Sequence, residues 1–165
     1  MPMNRKPITE ADALNRLAAY CSISEHCHAD VREKLQKWGL SAEATERIIS
    51  RLEKTNFLDE SRYAKAFVND KLRFSGWGKR KIALALQQKH VPHAVFQPYI
   101  DAIDEEEYLQ ILRKALEQKA RTLKAEDGDY QRKLKLTRFA MSRGFSYDEI
   151  RQCMDISDID ASDCQ

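Results

Sequence analysis

Residues 31–49, VREKLQKWGLSAEATERII, recur in altered form as residues 82–100, IALALQQKHVPHAVFQPYI, and again as residues 136–154, LTRFAMSRGFSYDEIRQCM. Each copy has two apolar positions four residues apart, then an apolar residue that is followed directly by serine or proline. A period of about 50 residues that contains several helices is typical of a helical repeat array. The chain is therefore predicted to fold as tandem helical units.

The junction inside each copy indicates how one helix ends and the next begins. Gly39 and Gly144 fall where a helix commonly ends in a left-handed residue. Ser41, Pro92 and Ser146 suit the first positions of the helix that follows. The local sequence thus predicts a helix, a tight turn and a second helix in each copy.

The second copy departs from this pattern at two places. It has His90 where the others have glycine, so this junction either holds an unusual left-handed residue or ends differently. Gln97 and Pro98 interrupt the sixth predicted helix, which is expected to be short or kinked.

Apolar spacing extends the helical prediction to the rest of the chain. Leu14, Leu17, Ala18 and Cys21 follow the spacing i, i+3, i+4, i+7 that gives a helix one buried face. No segment shows the sustained alternation expected of a strand. We therefore predict an all-α fold, an elongated array of three tandem three-helix units with about nine helices. The predicted helices span residues 9–22, 28–38, 41–55, 60–74, 79–90, 92–103, 105–124, 130–143 and 146–154.

These helices divide the chain into five segments. The tail holds four aspartates, no basic residue and little that could pack, so we expect it to be mobile, like the first residues of the chain. The segments are a flexible N-terminus (1–8), repeat 1 (9–56), repeat 2 (57–103), repeat 3 (104–154) and an acidic flexible tail (155–165). A turn or hinge is expected near residues 125–129, AEDGD.

The bulk composition excludes several classes of protein. The longest apolar runs, such as Leu17 to Cys21, have five residues, far fewer than a membrane span needs. We expect no secretory signal, since Arg5 and Lys6 are followed by a mixed sequence. The four cysteines form no CxxC pair, which suits reduced thiols in a cytoplasmic protein.

The positive charge of the chain is concentrated in its centre. Residues 61–100 hold eight lysines or arginines and one acid, Asp70, whereas the remainder is balanced or acidic. A local field of this sign attracts phosphates or an acidic protein surface.

Three of the central cations stand at the predicted start of a helix. Lys79, Arg80 and Lys81 follow the turn that contains Gly76 and Gly78. A helix start already carries partial positive charge, so basic residues there are unfavourable for the helix itself. Free amides, a permissive backbone and three cations together predict an anion site. The candidate contact residues for a partner or nucleic acid are Lys71, Arg73, Trp77, Lys79, Arg80 and Lys81.

Trp77 admits two interpretations. Between its two glycines it could stack on a base or fill a partner's pocket, or it could be a core residue beneath the turn. A second basic run in the third unit, where nearby acids could partly neutralise the charge, is a candidate secondary basic surface. Its residues are Arg132, Lys133, Lys135, Arg138 and Arg143.

Catalytic and metal chemistry find little support in the sequence. Cys27 lies between His26 and His28, a cluster that could suggest a zinc site. However, adjacent residues on a helix point about 100° apart, and no distant pair completes four ligands. A helix-start cap by His28 is therefore favoured over zinc binding. The acidic run 104–107 fits a helix cap better than acid–base catalysis. No GxxxxGK[ST] or GxSxG motif occurs, so we expect no enzyme, no cofactor and no metal.

Two blocks in the centre resemble a known family. Residues 57–68, FLDESRYAKAFV, and residues 76–86, GWGKRKIALAL, are similar to the RecX regulatory-protein family, and the likeness runs from Ala11 to about Met154. The residues that match its signature are Leu58, Asp59, Glu60, Tyr63 and Ala64, with the Gly-x-Gly-Lys element at Gly76 to Lys79.

This resemblance implies tandem three-helix bundles and a bacterial cytoplasmic regulator in DNA repair, homologous recombination and the SOS response. It implies binding to the RecA recombinase filament on single-stranded DNA, and inhibition of filament assembly, ATP hydrolysis, strand exchange and coprotease activity. We expect a monomer with no membrane contact. Two alternatives stay open from the residues alone: a stand-alone helical DNA-binding module, and a protein-interaction scaffold whose cations meet an acidic protein face.

Overall fold

The computed structural model describes residues 6–164 of the chain, and within them it contains nine α-helices, one short 3-10 helix and no strand. The all-α prediction is confirmed for this part of the chain. The helices are α1 (Glu10–Ile23), α2 (His28–Lys37), α3 (Ala42–Lys54), α4 (Glu60–Arg73), α5 (Lys79–Gln88), α6 (His93–Asp101), α7 (Glu105–Ala120), α8 (Asp129–Ser142) and α9 (Tyr147–Cys153), with the 3-10 helix at Ala161–Cys164. They form three successive groups of three.

Side-chain caps explain why several helices begin where they do. Ser41 accepts a hydrogen bond from the backbone N–H of Ala44, and Asp59 caps α4 in the same way. Asp104 caps α7, as expected for the acidic run 104–107. Ser146 forms a reciprocal capping box with Glu149 at the start of α9.

The start of α2 is built differently from the prediction. His28 is the first helical residue, and its backbone N–H donates to the Glu60 carboxylate of α4 at 3.1 Å. The expected cap by the His28 side chain is therefore wrong, because a carboxylate from the next unit takes that role.

The repeated junctions share one backbone geometry. Gly39, His90 and Gly144 have φ of 80°, 58° and 100°, so all three are left-handed. After each, the next N–H bonds to a carbonyl five residues back, as Leu40 does to Leu35 at 3.1 Å. The repeat and its left-handed junctions are confirmed, and His90 adopts the strained alternative.

Other predicted helix features are met within a few residues. α6 is short and continuous, with Pro98 inside it. α7 ends at Ala120 instead of residue 124, and a turn at residues 121–128 leads into α8. No helix in residues 6–164 is long and apolar enough to cross a membrane.

Within residues 6–164 the buried side chains form two cores, not three. Those of α1–α3 form one core around Leu17, Leu35 and Leu52. The second and third groups share a single continuous core, whose largest fully buried side chains are Tyr108, Phe96 and Phe145. The second and third groups therefore pack as one body, which marginal units of this size need for stability.

Polar contacts join the first group to the second. Asp30 of α2 and Lys89 after α5 form an ion pair of 2.8 Å. Cys27 is fully buried in the core of the second group, and burial raises the pKa of its thiol to about 11. Cys27 therefore stays a neutral apolar residue at this joint.

The tail differs from its prediction. Ile156 and Ile159 are buried, and the hydroxyl of Tyr147 donates to the carbonyl oxygen of Ile159 at 2.6 Å. The expectation that residues 155–164 hold little that packs is wrong, because these two isoleucines reach the core of the third group. Of the N-terminus predicted to be flexible, residues 1–5 lie outside the described part of the chain.

Candidate partner and nucleic-acid interface

The turn after α4 folds back onto that helix. The N–H of Ser75 bonds to the carbonyl of Asp70 at 3.3 Å, and the N–H of Trp77 bonds to the carbonyl of Lys71 at 2.9 Å. Gly76 has φ of 66°, which lets the chain reverse. These bonds place Trp77 beside the last turn of α4.

Trp77 is partly buried and carries two cations over its ring. Its ring meets Phe67 edge-on, with centroids 6.4 Å apart. The ammonium groups of Lys71 and Lys81 lie 4.7 Å and 4.4 Å from the indole centroid. Its packing against the core fits the interpretation of Trp77 as a core residue beneath the turn, and contact with a base or a partner stays a prediction.

The backbone amides at the start of α5 already have partners within the chain. Gly78 N–H donates to the Arg143 carbonyl at 2.7 Å, and Lys79 N–H to the Tyr108 hydroxyl at 3.0 Å. Arg80 N–H donates to the Gly144 carbonyl at 3.2 Å. The expectation of free amides is wrong for these three donors, because they tie the second group to the third.

The three cations at this helix start do not point one way. Lys79 lies over the ring of Tyr108, with its ammonium 4.6 Å from the centroid, whereas Lys81 lies over Trp77. Arg80 alone of the three is exposed. Successive residues of a helix are turned by about 100°, which separates them.

The hydroxyl of Tyr108 links α5 to α9 by hydrogen bonds. It accepts the Lys79 N–H and donates to the Glu149 carboxylate at 3.1 Å, and Glu149 also accepts from the backbone of Ser146. Burial, reinforced by the Glu149 charge, raises the pKa of Tyr108 well above its usual range. The phenol therefore stays protonated and keeps this buried hydrogen-bond chain complete.

Gly78 and Gly144 meet backbone to backbone at this joint. A Cβ on Gly78 would lie 2.3 Å from the carbonyl carbon of Gly144, and a Cβ on Gly144 would lie 2.5 Å from the Cβ of Lys81. No side chain fits there. The Gly-x-Gly-Lys element thus contains one glycine for a left-handed turn and one for close approach.

The structure brings together part of the predicted central set. Lys71, Trp77 and Lys81 form one cluster, which we call the indole–lysine cluster. Arg73 lies apart from it, because its guanidinium pairs with Glu107 at 2.9 Å.

A groove lies beside the indole–lysine cluster, between α2 and α5. Its volume is about 520 Å³, and Trp77, Phe67 and Lys71 line it together with the Asp30–Lys89 ion pair. We call it the α2–α5 groove. It offers a surface of mixed charge with an aromatic wall, which suits a protein partner.

The predicted secondary basic surface is not one free patch. Each of its five cations contacts a group within the chain, and these contacts bind the α7–α8 turn, the tail and the joint between groups. Arg132 donates to the carbonyls of Ala120 and Lys124, Lys133 pairs with Asp129 and Asp158, Lys135 pairs with Asp127, Arg138 donates to the carbonyl of Asp163, and Arg143 donates to the carbonyl of Ser75. The nearby acids of the run 125–129 account for part of this neutralisation.

A second groove was missed by the sequence reasoning. It has a volume of about 590 Å³ and runs between the end of α4, α7 and the end of α8; we call it the α4–α7–α8 groove. Phe74 at its edge is 87% exposed. Lys114 and Lys119 of α7 line it, beside Phe139. The one sequence signal was Phe74 itself, an aromatic residue that follows directly after α4.

The comparisons with known proteins agree with this architecture. Residues 59–97 match the family model of the RecX second three-helix domain, and residues 105–154 match that of the RecX third three-helix domain. Two solved structures have the same fold at 19–20% sequence identity. They are a regulatory protein RecX, with a TM-score of 0.80 over 87% of this chain and 72% of that one, and RecX from Lactobacillus salivarius, with a TM-score of 0.77 over 87% of this chain and 93% of that one.

Relatives with higher identity are named regulatory proteins. The chain is 35% identical over 143 residues to the regulatory protein RecX of Prosthecochloris aestuarii, a match that covers 87% of this chain and 91% of that protein. It is 35% identical over 139 residues to the regulatory protein RecX of Clostridium botulinum strain Alaska E43, covering 82% of this chain and 65% of that protein. Similarity of this extent, over domains matched in the same order, shows common descent. The chain therefore belongs to the RecX family of regulatory proteins.

Proposed function

We propose that this chain is a non-enzymatic, cytoplasmic regulator that binds the RecA recombinase filament on single-stranded DNA. In this proposal it inhibits filament assembly, ATP hydrolysis, strand exchange and coprotease activity. Membership of a family of regulatory proteins supports a regulatory role. The RecA filament is the partner that the family resemblance implies.

The structural observation that supports the proposal is the indole–lysine cluster. Lys71 and Lys81 are held over Trp77, so their charges are presented in a defined arrangement before any partner arrives. Ordering these long side chains in advance lowers the entropy lost on binding. Tryptophan is among the residues that most often anchor protein interfaces.

The charges of the α2–α5 groove favour a protein surface over bare phosphates. Asp30 and Glu33 line it beside Lys71 and Lys89. Carboxylates at these positions would repel a phosphate backbone, whereas a protein face can match both signs of charge.

A RecA ATPase titration on single-stranded DNA tests the proposal, with DNA present in excess over both proteins. Inhibition when this chain is substoichiometric to RecA is expected of a filament regulator. The alternative, a helical DNA-binding module without a specific protein partner, lowers ATPase activity only when this chain saturates the DNA. That outcome would overturn the proposal.

A further inference from the structure

The α4–α7–α8 groove is bordered by cations from three elements. Arg73 comes from the end of α4, Lys114 and Lys119 from α7, and Arg143 from the residue after α8. No carboxylate is among the residues that line the groove, although Arg73 pairs with Glu107. This distinguishes it from the α2–α5 groove, whose wall contains acids.

Two of these cations are held in place by an aromatic ring. The guanidinium of Arg143 lies 5.1 Å and the ammonium of Lys119 lies 5.4 Å from the centroid of Phe139. Arg143 also donates to the carbonyl of Ser75 at 3.0 Å, which fixes it across the groove. Neither Lys114 nor Lys119 forms an ion pair with any residue of the described chain. Their charges are therefore available to a ligand.

Phe74 stands at the edge of the groove on a fixed backbone. Its N–H bonds to the carbonyl of Asp70 at 2.9 Å, and the next residue bonds to the same carbonyl. Its side chain is 87% exposed, and no cation lies over its ring in the described structure. In this respect it differs from Trp77, whose ring is already covered. An aromatic ring in water beside a cationic groove suits a stacked base.

The ligand that fits these features is an extended polyanion with accessible bases. Lys114 and Lys119 are five residues apart on α7, about 7.5 Å along its axis, so an extended anion suits them better than a single phosphate. A duplex keeps its bases stacked inside, so Phe74 could not reach them. We propose that the α4–α7–α8 groove binds single-stranded nucleic acid, with its backbone phosphates on Lys114 and Lys119, which form no ion pair in the described structure, and a base stacked on Phe74.

This inference deepens the proposed function and rests on it only for the expectation that the protein acts on single-stranded DNA. The binding experiments that test it contain no RecA. The full chain is titrated with a fluorescein-labelled oligothymidylate, and with inorganic polyphosphate as an anion that has no bases. The variants are Phe74→Ala and the double change Lys114→Met, Lys119→Met. The matched controls outside the groove are Ile23→Ala, an 84% exposed residue of α1, and Lys54→Met at the end of α3.

Phe74→Ala is expected to weaken oligothymidylate binding about tenfold, the usual size of one stacking contact. Polyphosphate binding should not change, since no base is present. The double lysine variant should weaken both ligands and lower the log–log salt slope on the oligonucleotide by about 1.4, which corresponds to two phosphate contacts. Both controls should bind as the parent does.

Three results would overturn the inference. The first is unchanged oligothymidylate binding in Phe74→Ala, and the second is an equal loss of polyphosphate binding in that variant. The third is a salt slope unaltered by the lysine changes. If the groove variants bind the oligonucleotide normally and lose only the filament, the occupant is a protein and the inference fails while the proposed function stands. If the chain binds DNA as expected but does not inhibit RecA, the proposed function fails alone.

Discussion

The backbone N–H of Gly78 donates a 2.7 Å hydrogen bond to the carbonyl oxygen of Arg143. This bond joins the start of α5 to the end of α8, and it stands beside the contact between the backbones of Gly78 and Gly144. The second and third groups therefore share one core and one hydrogen-bonded joint. The sequence predicts a ligand site at the basic start of α5. In the structure this helix start joins the second and third groups.

Gly78→Ala is expected to destabilise the fold by about 2–3 kcal/mol, because its Cβ would enter the backbone of Gly144. Gly128→Ala is the matched control. Both glycines are N-caps with extended backbones, with φ of −79° and −66°, but nothing lies within 4 Å of a Cβ at Gly128. Urea unfolding compares the two. Equal losses would mean that the cap position, and not the joint, accounts for the effect.

His90→Gly is expected to stabilise the fold by about 0.5–1 kcal/mol, because glycine adopts the left-handed φ of 58° without strain. His93→Gly provides the control within the first turn of α6, where glycine should destabilise by up to about 1 kcal/mol. Both are measured by urea unfolding. A loss at His90 as large as that at His93 would show that the left-handed histidine carries no strain.

The double change Lys71→Met, Lys81→Met is expected to weaken binding to the RecA filament at least tenfold. The methionines can keep contact with the Trp77 ring, so circular dichroism and the melting temperature should remain close to those of the parent. Lys54→Met on α3 is the control. Filament binding is measured by fluorescence anisotropy with labelled single-stranded DNA inside the filament. Normal binding by the double variant would mean that these charges serve only solubility.

The Asp30–Lys89 pair should make the joint between the first two groups sensitive to acid. Burial raises the pKa of Asp30, but hydrogen bonds from Lys89 and Cys27 outweigh it, so the pKa lies below its usual 3.8. A carboxyl with a lowered pKa stabilises the fold above the unfolded pKa, and this stabilisation is lost as the pH falls through the folded value.

Because the pair is partly exposed, its contribution should be below about 1 kcal/mol. The test compares urea unfolding of the parent and Asp30→Asn at neutral pH and below pH 3.8. The difference between them should shrink in acid. A difference that is the same at both pH values would show that the charge of Asp30 does not act through this pair.

The fold was predictable to the extent that its signals are local. Left-handed junctions, capping residues and apolar stripes act over a few residues, and these placed Gly39, Gly144, Ser146 and Asp104 correctly. His90 was left between two alternatives because its neighbours alone do not decide whether φ is positive. The buried tail was missed because only Ile156 and Ile159 signal it among many aspartates.

The site was less predictable because its partners lie far apart in the sequence. Nothing near Lys79 in the sequence indicates that its amide donates to Tyr108. The backbone N–H groups at this helix start were therefore predicted to be free, although they have acceptors within the chain. The α4–α7–α8 groove combines Phe74 with lysines of α7, and this pairing depends on how the groups pack. Charge counts locate basic segments, but they do not tell which cations are already neutralised within the chain.

The difference in salt dependence between naked DNA and the RecA filament tests the central claim most directly. Anisotropy is recorded from about 50 to 200 mM salt for a labelled oligothymidylate alone and for the same strand coated with RecA. On naked DNA each phosphate contact adds about 0.7 to the log–log slope, so four contacts predict a slope near 3. On the filament, protein contacts around Trp77 are partly desolvated and weakly screened, so the slope should be shallower and the affinity higher. Equal slopes and equal affinities on the two substrates would contradict a filament regulator and favour a DNA-binding module.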